Sequence, residues 1–264
     1  MKSSSLSLKV INKYVENNIG SFHQARLDSL QQLSLTQVLK RKNPYLFKAK
    51  NIIVAPDLVR LILDAHLSSQ EETMFGEFLE DLAIYICGQV FSGKKSARPS
   101  IDLEFEKEGV HYIVSIKSGP NWGNADQIRK MRENFLEAAA KIQEASPRIK
   151  VIAVNGCCYG QELYPDRGGY YKYCGQDFWE FVSGIKELYT QIIEPLGYKA
   201  KEKNEEFLEE YAKIVTNFTV EFASDFCENG KVDWAKLVGF NSAHVEPGKI
   251  IGERRGKYST KKKR

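Results

Sequence analysis

The sequence contains few of the residues that build disulfide frameworks and standard zinc sites. It has five cysteines and four histidines in 264 residues. The cysteine number is odd, no two cysteines are spaced as CxxC, and Cys157 and Cys158 are adjacent, so neither kind of framework is expected. We expect reduced, buried thiols that pack as small apolar side chains. A metal cluster of Cys157, Cys158 and Cys174 is the alternative.

Other recognisable signals are also missing. No apolar run approaches the length that spans a bilayer, and the first residues lack the apolar stretch and cleavage site of a secretory signal. The sequence has no P-loop, no dinucleotide fingerprint and no nucleophile–histidine–acid set. We therefore expect a cytoplasmic protein without a membrane-spanning segment.

Charge is distributed unevenly along the chain. The formal net charge is +4, and residues 254–264 contain seven basic residues and no acid. Subtracting these seven charges leaves −3 for the rest, so a mildly acidic body carries a basic tail. Such a tail can attract a phosphate backbone by counterion release, or it can be a solvated tail that aids solubility.

Hydrophobic periodicity divides the chain into three expected parts: a helical region (1–68), a core (69–200), and a C-terminal helix with the basic tail (201–264). Pro44 should end a helix, because its ring blocks the helical conformation of Asn43. Ser69 and Glu72 form a capping-box pattern, which predicts that a new helix starts there and ends near Gly88.

The core pattern predicts an α/β fold: a mixed central β-sheet flanked by helices, with additional helical segments. Two strands are expected around Glu108-Gly109, and a helix should follow, capped by Asn124 and Gln127. These two strands are expected at 100–107 and 110–117. The remaining expected elements are a strand at 149–156, an irregular excursion at 157–176, and helices at 177–197 and 203–226.

The two strands around Glu108-Gly109 have a consequence for side-chain direction. A two-residue turn pairs residues whose numbers sum to 217, so Asp102 faces Ser115, and Ser100 faces Lys117. Asp102, Glu104, Ser115 and Lys117 then project from one face of the sheet. A simple three-residue turn would break this arrangement.

A carboxylate beside a lysine suits phosphodiester hydrolysis. Mg²⁺ prefers hard oxygen ligands, usually one or two carboxylates with water and phosphate. The metal polarises the phosphoryl oxygen and acidifies water. A nearby lysine can orient that water and stabilise negative charge in the transition state.

The run Pro99-Ser100-Ile101-Asp102, followed by Ser115-Ile116-Lys117, resembles the signature of the PD-(D/E)XK nuclease superfamily. The order helix–strand–strand–helix–strand also resembles that superfamily's restriction-endonuclease-like core. Among its members, the chain is most similar to type II restriction endonucleases. This resemblance implies Mg²⁺-dependent, site-specific cleavage of double-stranded DNA that leaves 5′-phosphates, with Mn²⁺ as a possible substitute ion.

The resemblance assigns roles to single residues. Asp102 matches the metal-binding aspartate and Lys117 the catalytic lysine. Glu80 matches a glutamate on the helix before the strands, with Glu77 as a competitor, and Gln127 resembles a glutamine of the following helix. Ser115 stands where the family pattern has an acid. Its hydroxyl or carbonyl is a weaker ligand, so Glu80 or Glu104 is expected to supply the missing charge to the metal.

DNA contacts are expected from two segments. The loop and helix after Lys117 offer Ser118, Asn121, Asn124, Gln127, Arg129 and Lys130, with a solvated helix face as the alternative. Lys40 and Lys42 belong to a basic and aromatic cluster at 40–50, which is equally consistent with a solvated helix end. Base readout is expected from 157–176 and 40–50.

The restriction-enzyme reading also implies a homodimer, because two-fold protein symmetry suits symmetric DNA sites. Two alternatives use the same scaffold. One is a catalytically silent DNA-binding protein, which Ser115 favours, and the other is a repair or junction nuclease.

Overall fold

The computed structural model describes residues 7–244, so the basic tail at 254–264 lies outside the described residues. The chain divides into two compact units. Among the described residues, the first contains 7–32 together with Leu67–Ala212, and the second contains Leu33–His66 and 213–244. This division differs from the three consecutive parts expected from sequence, because each unit is assembled from segments far apart in the chain.

Helices dominate the secondary structure. The longest are α1 (Leu8–Gln31), α4 (Ala55–Phe91), α5 (Ala125–Ala145) and α9 (Ala200–Phe226). The shorter ones are α2 (Leu35–Lys40), α3 (Pro44–Ala49), α6 (Gln176–Ser183), α7 (Leu188–Gln191), α8 (Ile193–Leu196) and α10 (Trp234–Ser242). Within residues 7–244, no helix combines the length and apolar character needed to cross a membrane.

A five-stranded mixed sheet forms the centre of the first unit. Its strands are β1 (Lys94–Lys95), β2 (Leu103–Lys107), β3 (Val110–Lys117), β4 (Lys150–Cys157) and β5 (Tyr171–Cys174), in that spatial order. The first two pairings are antiparallel, and β3, β4 and β5 run parallel. In the second unit, β6 (Cys227–Glu228) and β7 (Lys231–Val232) form a small hairpin.

Helices cover both faces of the five-stranded sheet. On one face, Leu103, Val114 and Ile116 join a core with side chains of α1, α4 and α6. On the other face, Ile113 packs against Met131 and Phe135 of α5. The expected α/β architecture, with a mixed sheet between helices, is confirmed.

The predicted hairpin is also confirmed. Lys107 pairs with Val110 and Glu106 with His111, so partners sum to 217 and the turn has two residues. Both turn residues have positive φ (54° at Glu108, 76° at Gly109), as a tight hairpin turn of this type requires. However, β2 starts at Leu103 rather than at residue 100. Ser100 has a φ of 61° and accepts a hydrogen bond from Asn134, so it does not face Lys117.

The predicted helix start at Ser69 is wrong. α4 continues through this position, and the Thr73 hydroxyl donates to the Ser69 carbonyl as it would inside a helix. A capping box requires non-helical backbone at its first residue, whereas Ser69 lies inside the continuous helix α4. The helix also passes Gly88 and ends at Phe91. Pro44 behaves nearly as expected, since α2 ends before it and α3 begins at it.

Two further expectations about the core's second half are wrong. The segment 157–176 is not irregular throughout, because β4 extends to Cys157 and β5 adds a strand with Cys174 opposite Cys157. The helix expected at 177–197 is broken into α6, α7 and α8. Gly184, at φ 71°, ends α6 in the left-handed conformation that glycine tolerates.

Candidate active site

The hairpin brings Asp102 and Lys117 together, as predicted. Asp102 precedes β2 and Lys117 is the last residue of β3. Lys117 Nζ lies 3.7 Å from Asp102 Oδ2, and the two side chains are 31% and 21% exposed. The pair is therefore accessible but partly desolvated, which strengthens its electrostatic interaction.

Backbone and hydroxyl donors fix the Asp102 carboxylate. The amide of Ile116 donates to Asp102 Oδ2 at 2.6 Å, and the Ser115 hydroxyl donates weakly to the same oxygen at 3.4 Å. The Asp102 amide donates to the Val114 carbonyl at 2.8 Å. Asp102 thus anchors on the edge of β3 through both its backbone and its side chain. Ser115 is buried, and it reaches the site through Asp102.

Glu80 is an additional carboxylate whose pKa responds to the charge of Asp102. Burial and the charge of Asp102 raise the pKa of Glu80 above its ordinary value, and Lys95 offsets part of that increase. Lys95 Nζ lies 3.3 Å from Glu80 Oε1. Glu80 lies one helical turn after Gly76, where an added Cβ would be 3.3 Å from the Ser118 Cβ. The absence of a side chain at Gly76 lets α4 approach the strand end that carries Lys117.

The competing carboxylates have other surroundings. Glu104 accepts hydrogen bonds from Ser96 and Arg98 and lies 3.1 Å from His111 Nε2. Burial raises the pKa of Glu104, but these three partners outweigh it, and the net pKa is lowered. Glu77 is exposed and lines a cavity of about 230 Å³ with Tyr14 and other residues of α1.

The donor set fits a metal only with help from the substrate. Within the described chain, no three His, Cys, Asp or Glu side chains cluster closely enough to hold an ion on their own. The pair Asp102 and Glu80 matches the one or two carboxylates by which proteins usually hold Mg²⁺, with water and phosphate as further ligands. Burial and the charge of Asp102 both disfavour the ionised form of Glu80, and a bound cation would favour it.

The cysteines are unrelated to this chemistry. All five are free, and four of them are buried. Burial raises the pKa of Cys87 and of Cys158 to about 12, and raises that of Cys157 further. The described residues contain no disulfide, and they form no metal cluster at Cys157, Cys158 and Cys174.

The residues expected to contact DNA are distributed over both compact units. Asn124 and Gln127 exchange the two hydrogen bonds of a capping box, at 3.0 and 2.9 Å. Arg129 and Lys130 are exposed and pair with acids of their own helix. Ser118 and Asn121 belong to the loop after Lys117. Lys40 and Lys42 lie in the second unit, where the Lys40 ammonium lies over the Phe240 ring and Lys42 donates to the Ala65 carbonyl.

Sequence reasoning missed Asn155. This residue is 1% exposed in the middle of β4 and bonds both Trp122 and the carbonyl of Ser115. Its signal is a polar residue inside the apolar run from Lys150 to Cys157, since a buried amide needs hydrogen-bond partners. Lys95, the partner of Glu80, carried no comparable signal.

The fold and the acid–lysine pair place the protein in the restriction-endonuclease-like class. A model of the family described as type II restriction endonuclease EcoO109I matches residues 9–204, well over half of the chain. The chain belongs to this family and is a type II site-specific deoxyribonuclease that acts on double-stranded DNA. A search of curated proteins found no significant match.

Proposed function

We propose that the protein hydrolyses phosphodiester bonds of double-stranded DNA at specific sequences in a Mg²⁺-dependent reaction and leaves 5′-phosphates. The observation that carries this proposal is the 3.7 Å distance between Lys117 Nζ and Asp102 Oδ2. Burial and the charge of Asp102 also raise the pKa of Glu80. Family membership supports a divalent metal of this kind. Mn²⁺ is proposed as a substitute ion.

In this proposal the carboxylates have separate roles from the lysine. Asp102 and Glu80 hold the ion, which polarises the phosphoryl oxygen and acidifies water when bound. Lys117 orients the attacking water and stabilises the charge that develops on the phosphate. Ser115 supports Asp102 through its hydroxyl. Glu104 is the weaker candidate for the metal, because Ser96, Arg98 and His111 already occupy its oxygens.

DNA binding is proposed for the surfaces around this site. Ser118, Asn121 and Asn124 lie in the loop that follows Lys117, and the exposed cations of α5 follow directly. Sequence readout is proposed for the segment 157–176 and for the basic segment at 40–50. We further propose a homodimer, because it suits symmetric sites, and a cytoplasmic location, because the substrate is DNA.

Plasmid digestion tests the proposal. Wild-type protein should give discrete fragments with Mg²⁺ and none with EDTA, and the fragments should religate without prior phosphorylation. Asp102→Asn and Lys117→Ala should each lower the rate on the order of 10²–10³-fold. Lys107→Ala is the matched control, since Lys107 lies at the other end of the hairpin with its ammonium over Phe91.

The other outcomes separate the alternatives. Nicking or structure-selective cleavage indicates a repair or junction nuclease. DNA binding without cleavage in either metal indicates a silent scaffold. Full activity in Lys117→Ala contradicts the role assigned to that residue, whichever DNA is cut.

A further inference from the structure

Trp122 lies beside the proposed catalytic lysine. The loop after β3 folds back so that Lys117 Nζ is 5.5 Å from the centre of the Trp122 ring. The same ammonium is 3.7 Å from Asp102 Oδ2. An ammonium within about 6 Å of an indole face is attracted by the ring quadrupole. Lys117 therefore has an acid on one side and an aromatic ring on another.

Asn155 fixes the position of that ring. The Trp122 indole N–H donates to Asn155 Oδ1 at 3.1 Å, and Asn155 Nδ2 donates to the Ser115 carbonyl at 3.2 Å. The parallel register of β3 and β4 places Ser115 opposite Asn155. The Asn155 amide supplies both the acceptor for the indole and the donor to the carbonyl. The indole is thus tied to the strand that carries the lysine.

These contacts link Lys117 back to its own strand. The loop connects Lys117 to Trp122, and hydrogen bonds connect Trp122 through Asn155 to Ser115, which precedes the lysine by two residues. A free lysine side chain samples many rotamers, and ordering it during the reaction costs entropy. The contact with Trp122, supported by these hydrogen bonds, restrains the ammonium beside Asp102 before any substrate is bound.

We propose that Trp122, held by the buried amide of Asn155, is a positioning residue that keeps the Lys117 ammonium beside Asp102. The proposal rests on the proposed function in one respect, namely that Lys117 acts in cleavage. The position of the lysine relative to the ring is independent of that function, so the first experiment measures it without any reaction.

Nuclear magnetic resonance of protein labelled with ¹³C at lysine Cε measures this position directly. The Lys117 signal, identified by its absence in Lys117→Ala, should carry an upfield ring-current shift. Trp122→Leu should remove the shift, and Trp122→Phe should keep part of it, because a ring remains but the hydrogen bond to Asn155 is lost. Phe91→Leu is the matched control, because it removes the ring from Lys107 and should leave the Lys117 signal in place. An unchanged Lys117 signal in Trp122→Leu overturns the proposal.

Cleavage kinetics test the consequence. Trp122→Leu should lower kcat about 3- to 30-fold, the range expected for a cation–π contact, with KM for DNA unchanged. Trp122→Phe should recover part of kcat, because an aromatic face remains beside Lys117 although the loss of the indole N–H releases the ring from Asn155. It also guards against misfolding, since it keeps the apolar bulk. A rise in KM at constant kcat overturns the positioning role and makes Trp122 a DNA contact.

The two measurements fail separately. If wild-type protein cuts no DNA, the proposed function fails, while the ring-current shift still decides whether Trp122 positions Lys117. If the shift is present and cleavage in Trp122→Leu equals the wild type, the contact exists but has no positioning role in catalysis, and the inference is wrong.

Discussion

Glu80 and Glu104 show how two acids near one hairpin acquire different properties. Glu104 shares its oxygens with Ser96, Arg98 and His111, and its pKa is lowered. Glu80 is partly buried near the charge of Asp102, with the exposed Lys95 as its counter-ion, and its pKa is raised. The ionised form of Glu104 is stabilised by hydrogen bonds within the protein. The ionised form of Glu80 is disfavoured when no cation is bound. Of the two, Glu80 has the surroundings of a functional acid.

The largest expected difference between Glu80 and Glu104 is in the rate of DNA cleavage. Glu80→Gln should lower the rate on the order of 10²–10³-fold, because a neutral amide weakens the hold on an ion that contributes several kcal/mol to the transition state. Glu104→Gln should cut DNA at close to the wild-type rate when both are assayed well below their unfolding temperatures. A large loss in Glu104→Gln with a near wild-type rate in Glu80→Gln would move the second metal-binding role to Glu104.

Metal binding should be sensitive to acid in a way that identifies Glu80. A proton competes with the ion for a carboxylate, and the pKa of Glu80 is raised by burial and by Asp102. Affinity for Mn²⁺ should therefore fall, as pH decreases, at a higher pH than an ordinary glutamate would give. Calorimetric titration at several pH values measures this. Glu80→Gln should bind Mn²⁺ more weakly and lose that step, and persistence of the step would assign it elsewhere.

Stability should change in opposite directions in the two variants. The lowered pKa of Glu104 means that its ionised form stabilises the folded state at neutral pH. Glu104→Gln should thus lower the free energy of unfolding by about 1–3 kcal/mol, as expected when charged hydrogen bonds are lost. This difference from wild type should shrink as pH falls through the pKa of Glu104 in the folded state.

Glu80 should behave in the reverse way. Its raised pKa means that the ionised form opposes folding above that pKa. Glu80→Gln should leave the metal-free protein equally or more stable at neutral pH. Urea unfolding in EDTA at neutral and acidic pH checks both variants, and destabilisation by Glu80→Gln would show that its pair with Lys95 outweighs the repulsion from Asp102.

The hairpin register shows what the sequence could predict. The turn at Glu108-Gly109 fixes parity, and parity alone placed Asp102 near Lys117. The same alternation also placed Glu104 on their face of the sheet, but it does not show which side chains bond to Glu104. Arg98 and Ser96 precede β2 and turn back onto Glu104, and such tertiary hydrogen bonds have no periodic signature. The rule also overextended β2, because the positive φ of Ser100 starts a turn that the alternation did not indicate.

Longer-range errors have similar physical causes. The capping pattern at Ser69 is a local preference, and it was overridden where the helix simply continued. β5 went unrecognised because the strand has only four residues, Tyr171–Cys174, and lies between glycines in the sequence.

Two helical glycines provide the smallest and most local test of the approach of α4 to the site. Gly76 faces Ser118, at 3.3 Å from an added Cβ, whereas Gly20 in α1 has nothing within 4 Å of that position. Alanine favours a helix interior over glycine by about 0.5–1 kcal/mol. Gly20→Ala should therefore raise the free energy of unfolding by that amount and leave cleavage unchanged.

Gly76→Ala should gain less stability than Gly20→Ala, since crowding against Ser118 offsets the helical preference. It should also slow cleavage, because Ser118 directly follows Lys117 and either the loop or the helix with Glu80 must shift. Urea unfolding and plasmid digestion of both variants measure the contrast. If Gly76→Ala gained full stability and kept full activity, the close approach of α4 to Ser118 would have no role in setting the distance between Glu80 and the acid–lysine pair.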